Sequence, residues 1–384
     1  MIELQKWRPR FGSDVRIGVV STYPPTRCGI ARFTDSLIRS VTDNEALGFD
    51  VVRLVSEHAI DGDCSYPVTM EFDPSSHVGV KAAAAHLNRR DAAIINHEFG
   101  IFGVDDGEAV LDLAYLLDVP TVTILHTVLP EPTDRQRRII EQLAENTTPV
   151  VLCDAALEIL TSSYDVSPSG VEVIYHGASW DPQPVNHSPR RRLITWGLLG
   201  PGKNLEQAIA AIAELDELDP PLHYQIVGRL HPAFVRHHGN AYRTELSRLV
   251  FDLGLEDRVE FVDRYVEDAE LLNMVRQADL VVVPYGNSDQ VSSGVITEAI
   301  GAGRPVVSTR FPYAEEMVGS GPGIVVDHDP ASLAAGIHRL LDDTVAYRRA
   351  ARAASQLSAD LSWSSVGRQY ARLIRQLVPS RATA

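Results

Sequence analysis

Val283-Pro-Tyr-Gly-Asn-Ser-Asp-Gln-Val-Ser-Ser-Gly-Val-Ile-Thr-Glu-Ala-Ile-Gly-Ala-Gly-Arg-Pro-Val-Val-Ser-Thr309 is the stretch on which the reading of this chain turns. The apolar run Leu280 to Pro284 ends in a polar loop. Ser292, Ser293 and Gly294 open a short helix, Gly301 and Gly303 close it, and Pro305 to Ser308 has the look of the next strand. A helix start offers unpaired backbone N–H groups and the positive end of the helix dipole, which suits phosphate. Glu298 follows Gly294 by one turn on the same face. Helical side chains tilt toward the N-terminus, so its carboxylate points at the same bound group. An anion at the helix tip and an acceptor of two hydroxyls one turn on describe a nucleoside diphosphate with its ribose. Strand–loop–helix units with solvated glutamates also occur throughout α/β proteins, so the rest of the chain has to decide.

The bulk numbers narrow the field. A chain of 384 residues favours two domains, and 45% hydrophobic with 22% charged residues builds ordinary cores. A net charge of −16 and a pI near 5.2 argue against nucleic acid as the main partner and against purely electrostatic binding to anionic lipid. The cysteines Cys28, Cys64 and Cys153 lie far apart, form no disulfide or metal pattern, and fit a reducing cytosol. Met1 to Arg10 is charged and lacks the apolar core of a signal peptide. With no apolar run near ~20 residues, the expectation is a cytoplasmic protein without stable membrane insertion.

In the first half, strands are expected at Val15–Val20, Val51–Ser56, Ala92–Asn96, Pro120–Leu125, Pro149–Leu152 and Val171–Ile174. Helical spacing recurs over Ile30–Val41, Val78–Leu87, Glu108–Leu117 and Thr133–Glu145. The alternation implies a parallel sheet. A Pro/Gly loop ending at Gly29 follows the first strand, where open α/β sheets bind ligands; a plain turn explains it equally well. His97 and Glu98 sit at the carboxyl end of a strand, before a glycine loop, and His126 ends another. Ile60 to Met70 reads as loop, with Asp61-Gly-Asp63 solvated. Asp327-His-Asp329 reads the same way, because neither aspartate pair has a third metal ligand nearby. Arg135, Arg137 and Arg138 make a solvated helix face, with a docking surface for an anionic acceptor or a membrane as the lesser reading.

His176 to Pro189, rich in Pro and Gly, reads as a linker. A strand at Leu193–Trp196 then leads into Gly197-Leu-Leu-Gly-Pro-Gly-Lys203-Asn204 and an Ala-rich helix, Leu205–Leu215. Glycines for backbone approach and a lysine at a helix start follow phosphate-loop logic, although the P-loop spacing is absent. Strands follow at His223–Val227, ending in Gly228-Arg229, at Val259–Val262 and at Leu280–Val283. Ala350 to Leu377 is helical with a break near Trp363, and its amphipathic tail is expected to return to the first domain.

Taken together these motifs resemble the family-4 glycosyltransferases, retaining enzymes of the GT-B fold, from Tyr23-Pro-Pro through Trp363. The most specific match is Gly294-Val-Ile-Thr-Glu298-Ala-Ile-Gly-Ala-Gly-Arg-Pro-Val-Val. Gly197-(x5)-Lys203-Asn204 is similar to the family's Gly-Arg-(x4)-Lys-Gly loop, and His126 matches the histidine at the donor sugar. Gly29 resembles the amino-terminal glycine loop and Ile174-Tyr-His-Gly177 the hinge. There are departures. Gln290 stands where the first of two glutamates is usual, Leu198 where an arginine is usual, and Ser293 where a glycine is, with Gly294 shifted by one. These mark a variant subfamily, with Arg229 a candidate replacement for the missing arginine.

The resemblance implies an α/β protein of two Rossmann-like domains facing across a cleft: 1–178 with a crossover helix 364–384, and 179–363. It implies transfer of a hexosyl group from a nucleoside-diphosphate sugar of GDP-mannose or UDP-glucose type to a carbohydrate or glycoconjugate acceptor, with retention, no cofactor and no metal. Lys203 and the amides at Ser292 to Gly294 would stabilise the leaving diphosphate. Gly29 and Gly197 would approach it, Glu298 would hold the ribose, and Arg264-Tyr265 would flank the base. His126 and Gln290 would hold the sugar, while His97 and Glu98 face the acceptor. A sugar-nucleotide epimerase or hydrolase, and a non-catalytic sugar-nucleotide- or glycan-binding protein, stay as alternatives. A phosphorylase-like enzyme fits less well, since nothing marks a pyridoxal lysine.

Overall fold

The computed structural model describes residues 15–44, 47–55, 66–179, 182 and 190–378. The charged N-terminal segment, Asp61 to Asp63, Cys64, most of the linker and the last six residues lie outside these. The chain divides into two compact units, Met1–Gly177 with Trp363–Ala384, and Ala178–Ser362.

The first unit is built on a seven-stranded, all-parallel sheet of order β3-β2-β1-β4-β5-β6-β7. The strands are β1 (Val15–Ser21), β2 (Leu47–Leu54), β3 (Val68–Phe72), β4 (Ala92–His97), β5 (Thr121–Leu125), β6 (Thr148–Val151) and β7 (Glu172–Val173). Its central strands are nearly unbroken apolar runs because a parallel sheet is covered on both faces. Ile17, Val19, Val51, Ile94, Ile124 and Val150 form the core, each fully buried or nearly so. Each such side chain contributes ~1.5–3 kcal/mol. The helix Trp363–Leu377 places Val366, Tyr370 and Ile374 into this same core. Gly177 lies against the Trp363 ring, and a Cβ there would fall 2.3 Å from it.

Two expectations fail here. The loop expected through Met70 contains β3, and β2 begins at Leu47 instead of Val51. In β2 the polar Asp50 is almost fully buried because the Arg16 and Arg90 guanidinium groups close on it at 2.7 and 2.5 Å. β3 is an edge strand whose exposure alternates, so it lacks a continuous apolar run.

The second unit carries a six-stranded parallel sheet of order β10-β9-β8-β11-β12-β13. Its strands are β8 (Arg192–Trp196), β9 (His223–Val227), β10 (Val259–Val262), β11 (Leu280–Val283), β12 (Val306–Thr309) and β13 (Gly323–Val326). Leu193, Tyr224, Ile226, Leu280 and Val282 pack with Ile209, Ile212 and Ile337 from the covering helices. In each sheet the strand order reverses once, between β1 and β4 and between β8 and β11. Ligands of open α/β sheets bind outside the carboxyl ends of strands at such points.

Candidate functional site

In the second unit, Lys203 follows β8 and the helix Gly294–Gly301 follows β11, so both sit at the reversal point. Ser293 is the helix N-cap, and its hydroxyl accepts from the Ile296 N–H at 3.3 Å. That bond uses a lone pair of the hydroxyl, so Ser293 can offer an anion its O–H as well as its backbone. Behind the tip, Thr297 Oγ1 donates to the Ser293 carbonyl at 2.8 Å and lies 2.6 Å from the Tyr313 hydroxyl, which fixes the first turn. Gln290 Nε2 donates to the Ser292 carbonyl at 2.6 Å, so the amide braces its own loop. Glu298 Oε2 accepts from the Ser179 N–H at 3.1 Å.

The loop after β8 is tied on both sides. Leu199 N–H donates to Arg229 O and His231 N–H to Leu199 O, each at 2.8 Å, and Gly286 N–H donates to Gly202 O at 3.2 Å. Gly197 and Gly228 both take φ +131°, and a Cβ on Gly228 would fall 2.0 Å from the Gly197 carbonyl oxygen. Only glycine allows this approach. Lys203 ends a single 3₁₀ turn, and its ammonium stands 3.6 Å from the centre of the Tyr285 ring. Arg229 is exposed in the adjoining loop. His231 is held below its ordinary pKa by burial, then by Arg236 and Lys203, so cations gather here in an acidic chain. Leu198 is half-buried and brings no charge. Tyr265 is half-buried after β10, and its neighbour Arg264 pairs with Glu270.

In the first unit, Gly29 opens the helix Gly29–Asn44 after β1, exposed, with nothing within 4 Å of a Cβ position. His97 ends β4 with Glu98 beside it, and His126 follows β5. His97 is fully buried, edge-on to Phe99 and stacked on Phe102, with neither ring nitrogen hydrogen-bonded. Burial pushes its pKa down to about 3. Glu98 accepts from Thr127 Oγ1 at 2.5 Å and from Phe99 N–H at 3.1 Å; burial raises its pKa against both bonds. His126 is pushed down to about 3 by burial, then by His176 and His97. Its Nε2 lies 2.9 Å from Asn96 Oδ1, and Phe33 meets its ring edge-on at 4.7 Å. His176 falls to about 4 through burial, opposed by its bond to the Gly177 carbonyl.

Tyr285, Asn96 and Thr34 are the residues that sequence reasoning missed. Tyr285 directly follows the β11 run, and Asn96 is the polar interruption of an apolar strand; either could have been flagged on that ground. The other charged motifs have structural duties. Arg135 and Arg138 pair with Asp105 and Glu108 at 2.8 and 2.6 Å, which removes support for a basic docking face. Asp329 caps the helix Pro330–Asp342, and Cys153 Sγ caps Asp154–Ser163. Among the described residues no three His, Cys, Asp or Glu side chains are placed to hold a metal, and no helix is long and apolar enough to cross a membrane.

Comparison with known proteins agrees with the second unit's geometry. Residues 179–357 match the model of the glycosyl transferases group 1. D-inositol 3-phosphate glycosyltransferase of Corynebacterium efficiens is 29% identical over 261 residues, covering 63% of this chain and 60% of that protein. Glycogen synthase of Mycobacterium tuberculosis H37Rv is 28% identical over 275 residues, covering 66% and 62%. This chain thus spans about three fifths of the length of these relatives. The crystal structure of Anabaena Alr3699/HepE in complex with UDP and glucose matches with a TM-score of 0.73 over 94% of this chain and all of that one, at 17% identity. At that identity the likeness speaks for the fold, and it is the α/β fold of two Rossmann-like units expected of GT-B proteins. Over residues 179–357, nearly the whole second unit, the chain is thus similar to the glycosyl transferases group 1.

Proposed function

We propose that this protein is a glycosyltransferase that moves a hexosyl group from a nucleoside-diphosphate sugar to a carbohydrate or glycoconjugate acceptor, with retention and without a metal. The observation that carries this reading is the pairing, at the β8/β11 reversal, of Lys203 with the Gly294–Gly301 helix tip. In this reading Lys203, the Ser292–Gly294 amides and Gly197 receive the diphosphate, with Arg229 as a second cation. Charge developing on the leaving diphosphate meets donors already in place; each such donor contributes on the order of 3 kcal/mol in the transition state. Glu298 holds the ribose, Tyr265 flanks the base, and Gly29 approaches the diphosphate from its own loop. His126 and Gln290 hold the sugar. The acceptor hydroxyl attacks the anomeric carbon from the face that the diphosphate leaves, and its proton passes to the departing phosphate oxygen. Glu98 lines the acceptor side, and His97, fully buried against Phe99 and Phe102, supports it from within the unit.

A non-catalytic sugar-nucleotide-binding protein is the second reading. The bond from Gln290 to its own loop favours it, since that amide is then partly withdrawn from a sugar. Melting of the protein with UDP, GDP, ADP and their sugar forms, in the presence of a chelator, tests both. A base-selective rise in Tm supports donor binding, and donor consumption that depends on an added acceptor separates transfer from binding and from hydrolysis. No shift with any nucleotide removes both readings.

A further inference from the structure

The first unit contains a buried relay of four side chains whose direction can be worked out atom by atom. Thr34 Oγ1 lies 2.8 Å from the Ile30 carbonyl, which can only accept, so the single Thr34 proton goes there. Thr34 Oγ1 must then accept from its other neighbours, Ser21 Oγ at 2.7 Å and Asn96 at 3.2 Å. The Asn96 atom facing Thr34 is therefore the amide nitrogen, and its carbonyl oxygen faces His126 Nε2 at 2.9 Å. An amide oxygen has no proton to give, so the proton of that bond sits on His126 Nε2. A neutral imidazole with Nε2 protonated carries its lone pair on Nδ1.

We propose that Asn96 is a positioning residue that holds His126 in the Nε2-protonated tautomer, so that Nδ1 meets a hydroxyl of the transferred sugar as a hydrogen-bond acceptor. The role of the sugar rests on the function proposed above; the tautomer does not. Ser21, Thr34 and Asn96 are fully buried, while His126 is 8% exposed, so the relay is sealed at its far end and opens at the histidine. Burial is the first cause that disfavours an imidazolium at this ring. His97 on β4 and His176 after β7 both disfavour its protonation, Arg32 acts in the same sense on His176, and Phe33 presents a ring edge. Glu98 is turned to Thr127. The histidine thus stays neutral across physiological pH, and only its tautomer remains to be chosen. Asn96 makes that choice, because the hydrogen bond made by one ring nitrogen fixes which nitrogen carries the proton.

The test has a readout that needs no activity. In long-range proton–nitrogen spectra of protein labelled with ¹⁵N-histidine, the His126 pair is identified by its loss in His126→Gln. The expected signal is a protonated Nε2 and an unprotonated Nδ1, blurred toward a tautomer mixture in Asn96→Leu and in Thr34→Val. A protonated Nδ1 in the wild type overturns the proposal, whatever the enzyme turns out to do. For the kinetic arm, Asn96→Asp puts a carboxylate at the same atom, which keeps the tautomer at high pH and stabilises the imidazolium at low pH. The expected result is a new acid limb in kcat/KM that the wild type lacks, with near-normal turnover on its alkaline side, while Asn96→Leu loses roughly tenfold or more at all pH values. An Asn96→Asp profile that superimposes on the wild type overturns the positioning role. Should Asn96→Leu fail to fold, Thr34→Val, which keeps both Asn96 and His126 and removes only the acceptor of the Asn96 amide nitrogen, carries the same comparison. A wild type with the expected spectrum but no transfer activity refutes the proposed function and leaves the tautomer assignment standing.

Discussion

The ammonium of Lys203 rests 3.6 Å from the centre of the Tyr285 ring, and the ring is itself buried and stacked on Phe311. The ring's negative face favours the cation and limits where a flexible stem can place it. Lys203→Ala should lower kcat/KM by about 10²–10³-fold if it is an electrostatic donor of the usual strength, with the Tm little changed. Tyr285→Phe should be nearly neutral, whereas Tyr285→Leu should cost roughly 2- to 30-fold, the range of a cation–π contact. Equal activity in the Leu and Phe variants would remove Tyr285 from this role.

Glu298 has two oxygens and two proposed duties, and conservative replacement separates them. Glu298→Gln keeps an acceptor for the Ser179 N–H but removes the charge offered to a ribose. It should leave the Tm nearly unchanged and raise the donor KM by about tenfold. Glu298→Ala should lower both affinity and Tm. A normal donor KM in the Gln variant would confine this carboxylate to structure.

Gly228→Ala places a methyl against a backbone oxygen and strains a φ of +131°. Destabilisation on the order of 2–4 kcal/mol is expected, read by chemical denaturation, together with loss of nucleotide binding. Gly202→Ala, where nothing lies within 4 Å of a Cβ, is the matched control and should be tolerated.

The buried histidines make the first unit acid-sensitive. Folded pKa values of about 3 for His97 and His126 and about 4 for His176 lie below the ordinary 6.5. The unfolded chain therefore binds more protons between those limits, and stability falls as pH drops from about 6.5 toward 4. Each histidine contributes up to ~1.4 kcal/mol per pH unit in that window and nothing above it. His97→Leu removes a buried ring whose nitrogens have no partners, so it should flatten the slope by one proton and raise the Tm at pH 5. Measured proton uptake on unfolding at pH 5 that is unchanged by His97→Leu would contradict the buried, neutral state of this ring.

Much of this architecture is legible because parallel strands are written as short apolar runs. His223–Val227, Val259–Val262 and Leu280–Val283 coincide with β9, β10 and β11 to the residue. The elements that escape are those whose stability comes from partners distant in sequence. β2 begins early because Asp50 is neutralised by Arg16 and Arg90, and no local pattern reports that. β3 lies at the outer edge of its sheet and its apolar patterning is weak, whereas β13 is the short apolar run Gly-Ile-Val-Val, legible in the sequence but not singled out there. The same holds at the candidate site. Lys203, Gly294 and Glu298 stand out by spacing, but Tyr285 under Lys203 and Asn96 behind His126 become visible only once separate strand ends are brought together. Leu198 and Gln290 stand out as departures from a family pattern, whereas the bond that turns Gln290 onto Ser292 is a matter of loop geometry.

The loops after β8, β9 and β11 share one set of backbone bonds, through Leu199 with Arg229 and His231 and through Gly202 with Gly286. A residue gained or lost between a strand end and these bonds breaks the register of that loop with the loop after β8. Change at this end of the second unit is therefore confined to side-chain replacement. Across related chains, donor preference here should drift by substitution at positions such as 198, 229 and 290, while the lengths of the three loops stay locked together.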